Sequence, residues 1–257
     1  MVDAVIFDWA GTTVDYGSFA PVEAFMETFR AAGVEPTVAE TRKPMGMLKV
    51  DHIRTMLHMD RIEREWERVH GAEPTEEDVQ ALYVPYEEML LSILHKFATP
   101  KPFVLDAVAE LRSEGVKIGS TTGYNDKMMQ VVVPEAAKQG YSPDFWITPD
   151  GVGGKGRPFP YMVFRNMEAL GAGDVRRVAK VGDTVADVRE GVAAGVISIA
   201  VVEGSSVLGL TEEEFKALGV EEREAACARA EQTFRDAGAD AVIRNFSELP
   251  ALLRQIA

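Results

Sequence analysis

The chain has 257 residues, of which 46% are hydrophobic, which is enough for one large core or for one core with a smaller second domain. Its formal net charge of −14, without a cluster of lysine and arginine, disfavours nucleic acid binding because the surface would repel phosphates. The apolar runs are too short for a membrane span or a signal peptide, and Cys227 is the single cysteine. We therefore expect a cytoplasmic protein with no membrane partner and no internal disulfide.

Six short runs of apolar and β-branched residues predict the strands of a parallel sheet. They lie at residues 3–7, 116–121, 145–148, 178–182, 197–202 and 241–244. From residue 100 onward these runs alternate with helical patterns. That alternation is typical of an α/β fold with a doubly wound parallel sheet and helices on both faces.

Residues 18–98, between the first strand and the others, contain helical signals and no convincing strand. The apolar spacing in 22–33 predicts a helix that stops at Gly33, and Thr75 with Asp78 resembles a capping box at the start of a long helix. The simplest architecture is an α/β core domain made of residues 1–17 and 99–257. An all-helical cap domain, residues 18–98, is inserted into it.

Three aspartates follow two of the predicted strands. Asp8 comes directly after the first strand, Asp183 comes after the strand at 178–182, and Asp187 lies four residues later. If Asp183 opens a helix, Asp183 and Asp187 lie about one turn apart on the same face. Three acids that meet at the carboxyl edge of a sheet would repel one another and have raised pKa values unless a cation lies between them, and an all-oxygen site suits Mg²⁺. The alternative is that Asp183 only caps a helix and Asp187 faces solvent.

Four segments, in order along the chain, carry a family resemblance. They are DWAGT after the first strand, GSTTG after the second, the basic segment GRPFP and the acidic segment GDTVAD. The chain resembles the haloacid dehalogenase superfamily, whose members have a Rossmann-like core and use the first aspartate as a nucleophile in phosphoryl transfer. Most phosphatases of that superfamily have a second aspartate two residues later as a general acid. This sequence has Ala10 there.

The missing acid argues against an ordinary phosphatase, because such a proton donor contributes about 10²–10⁴ in rate. A carbon leaving group does not need it, but its electrons need an acceptor such as a protonated imine. The segment KPMGMLKVDHIR, residues 43–54, offers Lys49, with His52 on the same face if a helix begins at about Met47. A lysine considered alone is more often a surface charge. Together with DWAGTTVD, however, this segment resembles the phosphonoacetaldehyde hydrolase family over nearly the whole chain.

The resemblance implies a hydrolase that cleaves the carbon–phosphorus bond of phosphonoacetaldehyde into acetaldehyde and phosphate. It implies a Schiff base on Lys49, an aspartyl phosphate on Asp8, and Arg157 as the cation that meets the phosphoryl group. It also implies Mg²⁺ as the cofactor, bound by Asp8, the backbone carbonyl of Ala10 and Asp183, with Asp187 assisting.

The same motifs suggest further pocket residues. Thr122 fits the hydroxyl of the second motif, Thr12 braces the first loop, and Gly123 is a point of close backbone approach. Met45 either lines the pocket or fills the core. His52 either shuttles protons near the imine or packs within the cap.

Two other functions stay open from the sequence. The first is a phosphatase or phosphomutase of the same superfamily that acts on phosphate esters, and the second is a binding protein that kept the fold without activity. Relatives of this family are homodimers, and the hydrophobic face of helix 22–33 is a candidate for such a contact.

Overall fold

The computed structural model describes residues 2–256 of the chain, and its sheet has six strands. The strands are β1 (Ala4–Phe7), β2 (Lys117–Thr121), β3 (Phe145–Ile147), β4 (Val178–Gly182), β5 (Ile197–Val201) and β6 (Ala241–Ile243). Every neighbouring pair is parallel, in the order β3-β2-β1-β4-β5-β6. Each strand lies within a predicted run, and the doubly wound α/β fold is confirmed.

Strand β1 occupies the middle of the sheet and carries the first motif. All four of its residues are buried, as expected where helices cover both faces of a parallel sheet. Phe7, its last residue, is in register with Ser120 of β2 and with Val181 of β4. The carboxyl ends of these three strands are therefore level, and the residues that follow them meet at one edge.

The described residues contain twelve α-helices, and none of them is long and apolar enough to cross a membrane. Five lie between β1 and Leu94: α1 (Phe19–Ala31), α2 (Val38–Arg42), α3 (Lys49–Leu57), α4 (Asp60–His70) and α5 (Glu76–Ile93). The other seven are α6 (Val104–Ser113), α7 (Asp126–Lys138), α8 (Tyr161–Leu170), α9 (Val185–Ala194), α10 (Glu212–Ala217), α11 (Val220–Asp236) and α12 (Leu249–Ile256).

Helices α1 to α5 form the all-helical cap between β1 and α6. The predicted capping box is present at the start of α5, where Thr75 and Asp78 each accept a hydrogen bond from the other's backbone N–H. The two chain segments that join cap and core run side by side, because Val14 forms an isolated bridge with Pro100. The domain boundaries at residues 18 and 98 stay a prediction.

Helix α1 begins at Phe19, earlier than the predicted 22–33, and ends just before Gly33. Its apolar residues Val22, Phe25 and Phe29 are buried within the chain, and α1 packs against α5. The apolar face of this helix is therefore not available as the dimer contact suggested by the sequence, because the cap already covers it. Homodimer formation itself stays a prediction.

Candidate active site

The three aspartates named by the sequence come together at the carboxyl edge of the sheet. Asp8, Asp183 and Asp187 are all buried, and one ligand oxygen from each lies within 4.8 Å of the others. The predicted one-turn spacing on a helix is wrong, because α9 begins only at Val185, with Thr184 as its N-cap. Asp183 lies in the loop before that helix. The alternative in which Asp187 faces solvent is also wrong, since its side chain is buried.

Asp183 sits in a polar pocket beneath the first loop. Thr12 donates its hydroxyl to Asp183 Oδ1 at 2.9 Å, and Ser206 donates its N–H and its hydroxyl to Oδ2 at 2.8 and 2.7 Å. Burial raises the pKa of Asp183 to about 7, and the negative charges of Asp8 and Asp187 add to this effect. The donor set is oxygen-only and carries excess negative charge, so it fits a hard divalent cation.

Asp187 is already held by hydrogen bonds to both of its carboxylate oxygens. Its Oδ1 lies 2.6 Å from Lys180 Nζ and 3.0 Å from an Arg157 nitrogen, and its Oδ2 accepts from Thr184 Oγ1 at 2.5 Å. Burial by itself would raise the pKa of Asp187, but the positive charges of Arg157 and Lys180 outweigh it and lower the pKa. Asp187 is therefore an ionised carboxylate whose orientation is set by Lys180, Arg157 and Thr184.

Arg157 lies beside the predicted nucleophile rather than on the surface. Its Nη2 donates to Asp8 Oδ1 at 2.6 Å, and its side chain is only 1% exposed. Although burial opposes it, the charges of Asp187, Asp8 and Glu190 raise the pKa of Arg157 above its ordinary value. A permanently charged planar fork next to Asp8 is suited to binding a phosphonate or a transferring phosphoryl group.

Lys49 faces the same site from the cap. It is the first residue of α3, which begins two positions later than predicted, and only 5% of its surface is exposed. Its ammonium lies 5.1 Å from the ring centre of Tyr124 and 5.8 Å from that of Phe25, and no described residue forms a hydrogen bond or ion pair with it. Burial lowers its pKa to about 8, and the charge of Arg157 contributes to this, while that of Asp8 opposes it.

His52 is packed inside the cap next to Lys49. Its ring stacks on Phe25 with 3.8 Å between ring centres, and its Nε2 lies 2.8 Å from the carbonyl oxygen of Thr41. Burial, together with the charge of Lys49, keeps the pKa of His52 well below its usual value. The geometry favours the packing alternative for this neutral ring, and its role in proton transfer stays a prediction.

A small cavity between cap and core joins most of the predicted residues. Asp8, Ala10, Met45, Lys49, Thr122, Gly123 and Arg157 line it, together with Ser18, Gly46, Tyr124 and Thr184. Thr12, His52, Asp183 and Asp187 do not line it and lie behind its walls. Its volume is about 20 Å³, enough for a single water molecule, so the cap is closed onto the core.

Comparison of this chain with known proteins shows which family it belongs to. The model of the haloacid dehalogenase-like hydrolase family matches residues 2–195. A phosphonoacetaldehyde hydrolase of Lysinibacillus sphaericus is 51% identical over 99% of this chain and 95% of that protein, and one of Bacillus cereus is 48% identical over 99% and 96%.

The chain belongs to the phosphonoacetaldehyde hydrolase family. The family resemblance predicted from the four motifs is thus confirmed, and the chain is an enzyme. The crystal structure of a phosphonoacetaldehyde hydrolase-like protein from Oleispira antarctica matches this fold with a TM-score of 0.96 and 37% identity, covering 99% of this chain and 92% of that one.

The sequence did not predict several residues that surround the site in this member of the phosphonoacetaldehyde hydrolase family. Tyr124 and Ser18 line the cavity, Ser206 holds Asp183, and Lys180 and Glu190 contact Arg157 or Asp187 from below. Two of them carried a signal. Lys180 interrupts the apolar strand VAKVG, and Glu190 lies one turn after Asp187 on the same helix.

Cap and core come into close contact at Gly46 and Gly123. A Cβ atom on Gly123 would lie 2.9 Å from the carbonyl oxygen of Met47 and 3.1 Å from that of Gly46, and a Cβ on Gly46 would lie 2.4 Å from Thr184 Oγ1. These contacts explain why Gly123 acts as a close-approach point, as the sequence predicted, since any side chain there separates the two halves of the cavity.

Replacing Gly123 by alanine is expected to lower kcat/KM by about 10-fold to 100-fold, because it shifts Lys49 away from Asp8. Steady-state kinetics with phosphonoacetaldehyde measure the loss, and thermal unfolding checks the fold. Gly173→Ala is the matched control, because a Cβ there meets nothing within 4 Å. Unchanged kinetics in Gly123→Ala would contradict the need for this close contact.

Proposed function

We propose that this enzyme hydrolyses the carbon–phosphorus bond of phosphonoacetaldehyde to acetaldehyde and phosphate. The observation that carries the proposal is that Lys49, a buried amine from the cap, and Asp8, a buried carboxylate from the core, line one closed cavity. Arg157 lies next to Asp8 in the same cavity. The names of the curated relatives support the substrate.

The first step is formation of an imine. The neutral amine of Lys49 attacks the aldehyde carbon, a carbon–nitrogen bond forms, and the carbonyl oxygen leaves as water. This step needs the uncharged amine, and a pKa of about 8 leaves about a tenth of Lys49 uncharged at pH 7. The burial of Lys49 beside the rings of Tyr124 and Phe25 supports this role, because desolvation disfavours the ammonium.

The second step transfers the phosphoryl group. A carboxylate oxygen of Asp8 attacks phosphorus as the phosphorus–carbon bond breaks, and the electron pair moves through the carbon to the iminium nitrogen, giving an enamine. Arg157 offsets negative charge on the phosphonyl oxygens during this transfer. No general acid is required, since carbon leaves as an enamine, and this is consistent with Ala10 at the position of the usual acid.

The third step regenerates the enzyme. Water cleaves the aspartyl phosphate on Asp8 and releases phosphate, while the enamine gains a proton on carbon and a second water hydrolyses the imine on Lys49 to acetaldehyde. Since one water is released when the imine forms, the sum consumes one water for each substrate.

The acidic cluster is proposed to hold Mg²⁺. Asp8, Asp183 and the carbonyl of Ala10 would be its protein ligands, with Asp187 orienting the site through the contacts that hold it. When bound, Mg²⁺ would offset the charge that Asp8 and the phosphonyl oxygens bring together. Thr12 and Ser206 keep Asp183 oriented for this role through their hydrogen bonds.

Substrate entry requires motion of the cap. A cavity of about 20 Å³ holds one water and is too small for phosphonoacetaldehyde. We expect the cap to open for binding and to close for chemistry, which excludes bulk water from the imine. A small phosphonate is the proposed partner, and a homodimer is the proposed assembly.

The direct test is release of both products from phosphonoacetaldehyde. Purified protein with Mg²⁺ is expected to release acetaldehyde and phosphate in equal amounts, and removal of the metal with EDTA is expected to stop turnover until Mg²⁺ is restored. Borohydride added with substrate is expected to inactivate the enzyme by reducing the imine on Lys49. Phosphate release from phosphate esters without inactivation by borohydride would instead favour the phosphatase alternative.

The pH dependence of imine formation gives a separate prediction. The rate at which acetaldehyde and cyanoborohydride modify Lys49 is expected to rise about tenfold per pH unit below pH 8 and to level off above it, because the pKa of Lys49 is lowered from 10.5 to about 8. Peptide mass spectrometry between pH 6 and 10 measures the rate, with Lys49→Arg as the background. A rate that still climbs tenfold between pH 9 and 10 would contradict the lowered pKa.

A further inference from the structure

Glu190, a buried carboxylate that is not among the reacting residues, contacts Nε of Arg157. Glu190 lies on α9 and is 0% exposed. Its Oε2 accepts from Arg157 Nε at 3.0 Å and from Thr121 Oγ1 at 2.9 Å. Thr121 Oγ1 in turn accepts from Arg157 Nη2 at 2.9 Å. The three side chains therefore form a closed ring of hydrogen bonds through Nε and Nη2 of Arg157, whereas Asp187 contacts Nη1.

Arg157 lies in a loop and belongs to no helix or strand. Arg157 follows the loop GVGGKG, residues 151–156, in which Gly153 and Gly154 are exposed and have positive φ angles. A guanidinium binds a tetrahedral anion well only when its plane is aligned with the anion oxygens. On such a loop, alignment has to come from contacts to the side chain itself, and Glu190 supplies the contact to Nε.

Arg157 keeps its contact with Asp8 although Glu190 also attracts it, because Lys180 lies next to Glu190. Lys180 Nζ lies 3.6 Å from Glu190 Oε2 and 2.6 Å from Asp187 Oδ1. Lys180 thus offsets part of the negative charge on both carboxylates, and the Nη2 edge of Arg157 stays on Asp8. Glu190 also has an Oε1 atom that is buried and has no hydrogen-bond partner among the described residues. A buried carboxylate with one oxygen unpaired is costly for stability, and a role in orienting Arg157 accounts for its presence.

We propose that Glu190 is a positioning residue for phosphoryl binding, which fixes the plane of the Arg157 guanidinium through Nε and Thr121. This inference rests on the proposed function, in which Arg157 meets the phosphonyl oxygens, and extends it to a residue that does not touch substrate. Glu190 acts on the phosphorus end of the substrate, because its contacts lead to Arg157, Thr121 and Lys180 and none of them leads to Lys49.

The test is Glu190→Gln, which keeps the shape of the side chain and removes its charge. We expect kcat/KM for phosphonoacetaldehyde to fall about 10-fold to 100-fold, the usual range for loss of an orienting partner. The dissociation constant of inorganic phosphate, measured by calorimetry with Mg²⁺, is expected to rise by a similar factor. Trapping of acetaldehyde on Lys49 with cyanoborohydride is expected to stay within about twofold of wild type, because acetaldehyde has no phosphoryl group for Arg157 to bind.

Two further variants separate positioning from a general loss of structure. Ser198→Ala removes a buried hydrogen bond to the carbonyl of Val188 on the same helix α9, without contact to Arg157, and is expected to leave phosphate affinity and kcat/KM within about twofold. In an Arg157→Lys background, Glu190→Gln is expected to add less than about threefold, because a lysine has no Nε edge to be held.

Three results would overturn the proposal. They are phosphate affinity and kcat/KM within threefold of wild type in Glu190→Gln, an equal loss of acetaldehyde trapping, or an undiminished effect in the Arg157→Lys background. The calorimetric measurement does not depend on turnover. A wild-type enzyme that binds phosphate but releases none from phosphonoacetaldehyde would therefore contradict the proposed function. The effect of Glu190→Gln on phosphate affinity could still be measured in that case.

Discussion

Replacing Lys49 by arginine is expected to lower kcat for phosphonoacetaldehyde by on the order of 10⁴-fold or more, as when the group that forms a covalent intermediate is removed. Arginine keeps a positive charge between the rings of Tyr124 and Phe25, so the electrostatics of the cavity change little. It forms no imine, and the electron pair of the breaking carbon–phosphorus bond then has no acceptor. Coupled assays for acetaldehyde and phosphate measure the loss.

The control for Lys49→Arg is the same change at Lys43. Lys43 is exposed, lies on the same segment of the cap and does not line the cavity, so Lys43→Arg is expected to have wild-type kinetics. Borohydride with substrate is expected to inactivate wild type and Lys43→Arg but to leave no reduced adduct on Lys49→Arg. Substantial turnover by Lys49→Arg would rule out the imine mechanism and would favour a phosphatase-like reaction.

Replacing Asp8 by asparagine is expected to abolish phosphate release, again by on the order of 10⁴-fold or more, because the amide is not a nucleophile toward phosphorus. Imine formation is expected to survive. The negative charge of Asp8 is one of the influences that raise the pKa of Lys49, so its removal lowers that pKa further and increases the uncharged fraction. Trapping of phosphonoacetaldehyde or acetaldehyde by borohydride at pH 7 should therefore be at least as fast as in wild type.

Asp3→Asn is the matched control for Asp8→Asn. Asp3 precedes β1 and pairs with Arg177 at the opposite end of the strand, so this variant is expected to keep full activity. If Asp8→Asn lost imine trapping together with phosphate release, the two halves of the proposed mechanism would not be separable, and a collapse of the cavity would be the simpler explanation. Thermal unfolding of both variants distinguishes the two cases.

Much of the architecture could be read from short stretches of sequence. Strands β1 and β4 are buried throughout and the other four are partly or largely buried, so each appears as a compact apolar run between turns, and all six predicted runs contain the strand observed. The capping box at Thr75 and Asp78 is likewise local, since both partners lie within four residues. The order of the four motifs indicated the haloacid dehalogenase superfamily, and residues 43–54 together with DWAGTTVD indicated the phosphonoacetaldehyde hydrolase family.

The orientation of individual side chains was harder to predict. The sequence left open whether Asp183 opens a helix; in the structure Thr184 is the N-cap and Asp183 lies in the loop, where Thr12 and Ser206 donate hydrogen bonds to it. It offered the apolar face of α1 for dimerisation, whereas α5 covers that face. In both cases the local sequence pattern was compatible with two environments, and packing against neighbouring elements determined which one formed.

What the sequence alone determined about this protein is its parallel sheet, its helical cap, and the choice of Asp8 and Lys49 as the candidate acid and amine. These depend on residue types and their order along the chain. Only the tertiary structure showed that Arg157 contacts Asp8, 149 residues away in sequence. It also showed that Glu190 contacts Arg157 and that Lys180 contacts Asp187. Such contacts arise from the packing of α9 and a glycine-rich loop against the sheet, and no periodicity in the chain encodes the distance between two side chains that far apart in sequence.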